Sequence, residues 1–177
     1  MAKKFNFSEI MALVVDHDRF STGIISQILR GFGLNNHFIV GTGEAAKKLL
    51  PSGRFHLLIC ESVLQDMSLA DLVRWLRRRN DTKIRYMPVV VLTGYTQFSR
   101  VTHARDAGVS SVVRKPVSPA TLFDHILWAA RTERPFIDAD AFAGPDRRFW
   151  ANSAAVGLSR RASDHGTDDL PHPPAVP

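Results

Sequence analysis

HLLICESVLQDM, residues 56–67, is the stretch on which the fold turns. Its first half is an unbroken apolar run rather than an alternation of apolar and polar residues, the pattern of a strand buried on both faces inside a parallel sheet. The run ends in one carboxylate, Glu61, where the chain turns into a polar loop. A strand that carries a lone acid to the edge of a sheet raises the question of what the other strands bring there.

Four further runs are strand candidates, MALVV (11–15), HFIV (37–40), PVVVL (88–92) and SVVR (111–114), and among them VVVL shares the continuously apolar character of a central strand. Each is followed by an amphipathic segment. The first segment, from about Arg19, puts Phe20, Ile24, Ile28 and Phe32 at four-residue spacing, which predicts a buried stripe ending at residues 31–33. Residues 43–50, 69–79 and 98–107 supply the next three helices, stopped by Pro51, Asn80 and Gly108. The fifth starts at SPAT, with Ser118 placed to cap and Pro119 in the first turn. Five strands alternating with five helices predict an α/β fold, a five-stranded parallel sheet flanked by helices on both faces, because parallel neighbours require a crossover.

In such a sheet the functional crevice lies beyond the carboxyl ends of the strands. There the first strand delivers Asp16, His17 and Asp18, the third Glu61, the fourth Thr93 and the fifth Lys115. Acids, a hydroxyl and an ammonium at one edge suit a phosphoryl group and a divalent cation.

VVDHDR, LLICE, VVLTG and VRKP, in this order and at this spacing, resemble the signature positions of response-regulator receiver domains of two-component systems. The resemblance covers about residues 11–131 and implies a (βα)5 flavodoxin-like fold. It implies that the strand-three acid receives a phosphoryl group from a histidine kinase, that the strand-one acids hold magnesium, and that the hydroxyl and the lysine engage the phosphoryl group. Asp16, Thr93 and Lys115 match that pattern, and the Lys115–Pro116 bond is expected to be cis. Two positions depart from it. Glu61 stands where the family has its phosphoacceptor aspartate, and His17 where it has a second metal-binding acid. A glutamate extends its carboxylate by roughly 1.5 Å, and in-line transfer depends on positioning of that order. Imidazole is a poor magnesium ligand, so no cofactor is expected beyond weak magnesium binding through Asp16. Glu61 is then either a built-in imitation of the phosphorylated state, reaching towards Lys115 and Thr93, or a solvated acid in a decayed pocket. Val112 occupies the position of the family's switch aromatic, which leaves Tyr95 as a candidate substitute and partner contact, with an ordinary loop aromatic as the favoured reading.

Elsewhere the sequence is less specific. The single cysteine, Cys60, lies in an apolar run, so it reads as a core residue in a reducing, cytoplasmic setting. No stretch approaches the ~20 apolar residues of a membrane span. The net charge is +6, with 18 Lys and Arg against 11 Asp and Glu up to Glu133 and 5 against 6 beyond it. The densest cluster, Arg74, Arg77, Arg78 and Arg79, reads as a solvated helix end, with an anion contact as the minority reading. Trp128 falls outside the apolar arc of Leu122, Phe123, Ile126, Leu127, Ala129 and Ala130, which makes it a candidate partner contact. The chain divides into a receiver-like domain at 9–132, a linear segment at 133–151 without helical or strand periodicity that wraps or docks, and a disordered tail at 152–177.

The expected function is a stand-alone atypical response regulator in bacterial phosphorelay signalling. It would act by binding a histidine kinase, another signalling protein or a second copy of itself, without catalysis, since no nucleophile-and-base pair is evident. The alternative is a module that clamps an acidic nucleotide or nucleic acid through Arg74, Arg77, Arg78, Arg147 and Arg148.

Overall fold

The computed structural model describes residues 7–94, 106–130, 135–139 and 142–146. Five strands, β1 (Met11–Val15), β2 (Asn36–Val40), β3 (Leu57–Glu61), β4 (Val89–Thr93) and β5 (Ser111–Arg114), form one parallel sheet in the order β2-β1-β3-β4-β5. β3 and β4 end one residue later than their apolar runs suggest. Glu61 and Thr93 are therefore the last residues of their strands, in register with Leu92 and Arg114, and the ladder fixes where they stand.

Helices cover both faces. The α-helices named below each start on a side chain that accepts an otherwise orphaned N–H. Asp18 caps α1 (Arg19–Gly31), Thr42 caps α2 (Gly43–Leu49), Ser68 caps α3 (Leu69–Arg77) and Asp81 caps α4 (Thr82–Arg85). Ser118 accepts the Thr121 N–H at the start of α5 (Pro119–Ala130), as its sequence implied. Leu13, Val15, Leu58, Leu72 and Leu76 build one core under α2 and α3. Ala12, Val14, Ile25, Leu29, Leu57, Ile59 and Ile126 build the other under α1 and α5. Each fully buried Leu contributes about 1.5–3 kcal/mol relative to an exposed one. Among the described residues no helix is long and apolar enough to cross a membrane.

Several sequence expectations are corrected here. On α1 the buried face is Thr22, Ile25, Ile28 and Leu29, while Phe20 is 78% and Ile24 41% exposed. Two stripes compete on this helix, and the one formed by Ile25, Ile28 and Leu29 packs with Ala12, Val14 and Ile59 of the sheet. The helix expected at 69–79 ends at Arg77 and is followed by the short α4. Arg77 is not solvated. It is 1% exposed, and its guanidinium donates to the carbonyls of Gly108 (2.9 Å), Arg85 (2.6 Å) and Met87 (2.8 Å). Trading hydration for several carbonyl acceptors is what allows an arginine to be buried there.

The described residues of the segment after the domain are not irregular. β6 (Phe136–Ala139) and β7 (Phe142–Pro145) form an antiparallel pair. The pair is held by contacts remote in sequence: Arg85 bonds Asp138, Tyr86 packs edge-on against Phe136 with centroids 4.5 Å apart, and Gly144 lies against Gly108. A Cβ on Gly144 would come within 2.6 Å of the Gly108 Cα, so the close approach needs glycine on both sides. The helix expected at 98–107 lies almost wholly outside the described residues, as do Tyr95, Arg147, Arg148 and the segment 152–177.

Candidate functional site

The carboxyl edge of the sheet brings together the residues that the sequence singled out. Asp16, 5% exposed, directly follows β1, and its Oδ1 accepts the Asp18 N–H at 2.9 Å. Its Oδ2 lies 3.3 Å from Lys115 Nζ. At the end of β3, Glu61 Oε2 makes a direct ion pair with the same ammonium. Its other oxygen, Oε1, accepts both the backbone N–H of Ser62 (2.8 Å) and the Ser62 hydroxyl (2.9 Å). Ser62 Oγ lies 3.1 Å from Thr93 Oγ1, and Thr93, 3% exposed, closes β4. Lys115, one residue past β5, is anchored by its own N–H on Thr93 O at 2.7 Å, and its bond to Pro116 is cis. With Ser21 Oγ at 3.0 Å, the ammonium faces three acceptors, matching its three protons.

These contacts set the charge states. Burial pushes the Asp16 carboxyl up, but the Asp18 N–H, the Ser21 hydroxyl and Lys115 outweigh it and hold the group below the usual carboxylate range. Burial pushes the Lys115 ammonium down, but Glu61 and then Asp16 outweigh it and raise it above an ordinary lysine. Cys60 is buried, and desolvation pushes its thiol far above the usual range, which leaves it inert in the core.

The residues present do not fit a magnesium ion, which requires near-octahedral oxygen ligands. One oxygen each of Asp16 and Glu61 faces the Lys115 ammonium. Asp18 is committed to capping α1, and His17, with its side chain 46% exposed, sits 3.9 Å from Asp16 Oδ1. Among the described residues no group of three His, Cys, Asp or Glu side chains is placed to hold a metal.

Two of the other candidates change character. Trp128 is half-buried rather than exposed. His125, which the sequence reading left out of the apolar arc, is buried with Nδ1 against Ser111 Oγ, and this extends the buried side of α5 towards Trp128. Arg77 is turned into the fold and is lost as an anion clamp. Arg74, paired with Asp71 at 3.5 Å, and Arg78 border a groove of about 480 Å³ beside β6 and β7, but Asp106 and Asp138 share its walls. Trp75 is half-buried against the α3 core, with the Arg79 guanidinium 5.1 Å from its ring.

Three participants escaped the sequence. Ser62 bridges Glu61 to Thr93, Ser21 completes the lysine's ligands, and Asp66 accepts the Gly43 (2.9 Å) and Glu44 (2.8 Å) N–H groups at the start of α2. Only Ser62 had a signal, as a hydroxyl directly following the strand-end acid. Ser21 and Asp66 act on partners that only the fold brings near.

A family model described as response regulator receiver domain matches residues 12–127. The chemotaxis protein CheY of Pseudomonas aeruginosa is 30% identical over 114 residues, spanning 64% of this chain and 90% of that protein. Among solved structures, the receiver domain of the sensor histidine kinase PA1611 from P. aeruginosa PAO1, determined with a magnesium ion in its active-site cleft, superposes with a TM-score of 0.62. It is 20% identical and covers 69% of this chain and 98% of its own. The chemotaxis response regulator CheY4 of Vibrio cholerae gives a TM-score of 0.61 at 20% identity, covering 68% and 98%. The matched span, the identity to a chemotaxis receiver and the superposition on receiver structures agree: this chain belongs to the response regulator receiver domain family.

Proposed function

We propose that this receiver signals without being phosphorylated, with Glu61 as a built-in imitation of the phosphorylated acceptor. The observation that carries the proposal is the double anchoring of Glu61. One carboxylate oxygen is paired with Lys115, the other is held by two bonds from Ser62, and the side chain is only 11% exposed. A leftover strand-end acid in a decayed pocket would be solvated. The imitation is partial, because a carboxylate carries one charge where a phosphoryl group adds nearly two. It also differs in reach from the expectation: Glu61 contacts Lys115 directly and Thr93 only through Ser62. The poor fit of His17 and Asp18 to magnesium supports the same reading, since phosphoryl transfer in receivers draws on that ion.

With its pocket closed on itself, the module acts in bacterial two-component signalling as a cytoplasmic interaction partner of a histidine kinase or another signalling protein. No observation favours the nucleotide-binding alternative, because Arg77 is buried and the groove beside Arg74 and Arg78 carries acids as well.

Incubation with a small phosphodonor and magnesium, followed by intact mass measurement, is expected to add no acid-labile phosphate. Stoichiometric phosphate on Glu61 would overturn the proposal. Glu61→Ala is expected to abolish capture of the partner that the wild-type chain retains from its native cell, and retention at full strength counts for a decayed pocket.

A further inference from the structure

The two edges of the sheet are finished differently. β5 buries Ser111 and Val113 and ends in Arg114, next to Lys115. β2 pairs with β1 alone and leaves Phe38 51% and Ile39 45% exposed. Val40 O accepts the Asp16 N–H, so strand alternation turns the backbone groups of residues 36, 38 and 40 towards β1 and those of His37 and Ile39 outwards. Among the described residues nothing pairs with them. Open edges are ordinarily blunted by lysine, proline, a bulge or a covering element. Residues 31–43 include no Asp, Glu, Lys, Arg or Pro, and the ladder to β1 runs unbroken from Asn36 to Val40.

Both faces of the strand contribute apolar surface. Phe38 stands on the α2 side, edge-on to Phe55 with centroids 5.8 Å apart. Ile39 stands with His37 on the α1 side, where His37 Nε2 lies 3.0 Å from Ser26 Oγ. Charge then selects the occupant. An acidic or phosphate-rich partner finds no lysine or arginine on this strand to pair with. A chain of net charge +6 repels its own copy, yet along residues 31–43 two copies meet without like-charged side chains facing each other.

We infer that β2 is a self-association edge, on which two copies of this chain pair β2 to β2, antiparallel about Phe38, and join their sheets into one. Such a two-fold contact is self-complementary, since each strand offers the groups that the other lacks. In this register His37 of each copy exchanges N–H and C=O with Ile39 of the other. The two Phe38 side chains face each other across a non-hydrogen-bonded pair, with Cα atoms about 4.5 Å apart. Centring on His37 or on Ile39 sets that residue against itself and leaves the other facing residue 35 or 41, outside the strand. The Phe38 register is therefore the one that satisfies both outward residues within β2. Glu61 takes no part in this contact, so the inference is independent of the reading of the pocket.

The contact is small and its affinity modest, so the test is sedimentation velocity on the full chain from about 1 µM to 1 mM. The mass is expected to rise from one chain towards two, and a single-chain mass throughout would overturn the inference while leaving the Glu61 reading in place. Raising salt from about 0.05 to 0.5 M is expected to tighten association by screening the repulsion between copies. Loosening would mean that charges make the contact, against the inference. Ile39→Lys puts a cation on the open edge while the ladder to β1 stays intact, and is expected to weaken association by about tenfold or more. An unchanged constant would place the contact elsewhere and overturn the inference. Disulfide trapping with copper phenanthroline reads the same pairing should that variant not fold, and Cys60, being buried, does not compete. Phe38→Cys brings the introduced thiols opposite each other within disulfide reach and is expected to give a linked dimer. Asn36→Cys sets them roughly 13 Å apart along the strands and is expected to give none. Equal yields from the two variants, or none from Phe38→Cys, would overturn the pairing.

Discussion

Replacing Arg77 with Met removes the charge that the fold has gone furthest to accommodate. The guanidinium serves the carbonyls of Gly108, Arg85 and Met87 at 2.6–2.9 Å, with the Ser110 hydroxyl at 3.4 Å. Each buried carbonyl left without a donor costs about 1–3 kcal/mol. Against this stands the relief of no longer desolvating a cation, worth several kcal/mol, and the methionine refills part of the volume. The balance is a loss of about 2–4 kcal/mol, since three orphaned acceptors outweigh one desolvation. In urea, with a slope of about 1–3 kcal/mol per molar, the midpoint should fall by roughly 1–3 M. Arg77→Lys should recover only a fraction, because an ammonium cannot present the planar fork. Arg74→Met, on the exposed side of the same helix, should stay within about 0.5 kcal/mol. Amide exchange should quicken first at β6 and β7, because Arg77 holds Gly108, on which Gly144 rests, and lies 5.8 Å from the Phe136 ring. A midpoint shift no larger than that of Arg74→Met would refute the reasoning and reopen the reading of Arg77 as a ligand contact.

The pocket predicts a pH dependence with two arms. Asp16 is held below the usual carboxylate range, so its contribution is complete above about pH 3.9, the unfolded aspartate value, and is lost as pH falls through the lower folded one. Lys115 is raised, so its contribution is complete below about pH 10.4 and is lost as pH rises through the higher folded value. Urea midpoints across pH should show a steeper alkaline decline in the wild type than in Lys115→Met, and identical declines would count against the ion pair. Gly144→Ala sets a Cβ 2.6 Å from the Gly108 Cα, so it should speed amide exchange in β6 and β7 while pocket amides hold. Equal protection in variant and wild type would mean that the glycine contact does not seat the hairpin.

The sequence by itself determined the sheet and the residues at its edge. Short apolar runs bounded by polar turns and alternating with amphipathic segments point to a parallel sheet, and where each run stops points to the side chain that reaches the crevice, although the run at β2 forms a largely exposed edge strand with Phe38 and Ile39 open to solvent. Asp16, Glu61, Thr93 and Lys115 were legible for that reason, as was the Ser118 cap, whose partner is three residues away. Only the tertiary structure decided what depends on partners remote in the chain. An arginine in the last turn of a helix reads as solvated unless carbonyls from residues 85, 87 and 108 converge on it, as they do on Arg77. Phe20 and Ile24 look like a core stripe until the helix packs on Ala12, Val14 and Ile59 of the sheet through Ile25, Ile28 and Leu29 instead. The four-residue strands β6 and β7 carry little periodicity, and they form because Arg85, Tyr86 and Gly108 offer them a seat. Ser62 is decided last of all. Whether it links Glu61 to Thr93 is a matter of tenths of an ångström between two strands, which local sequence does not encode because side-chain hydrogen bonds are selected by the packed backbone around them.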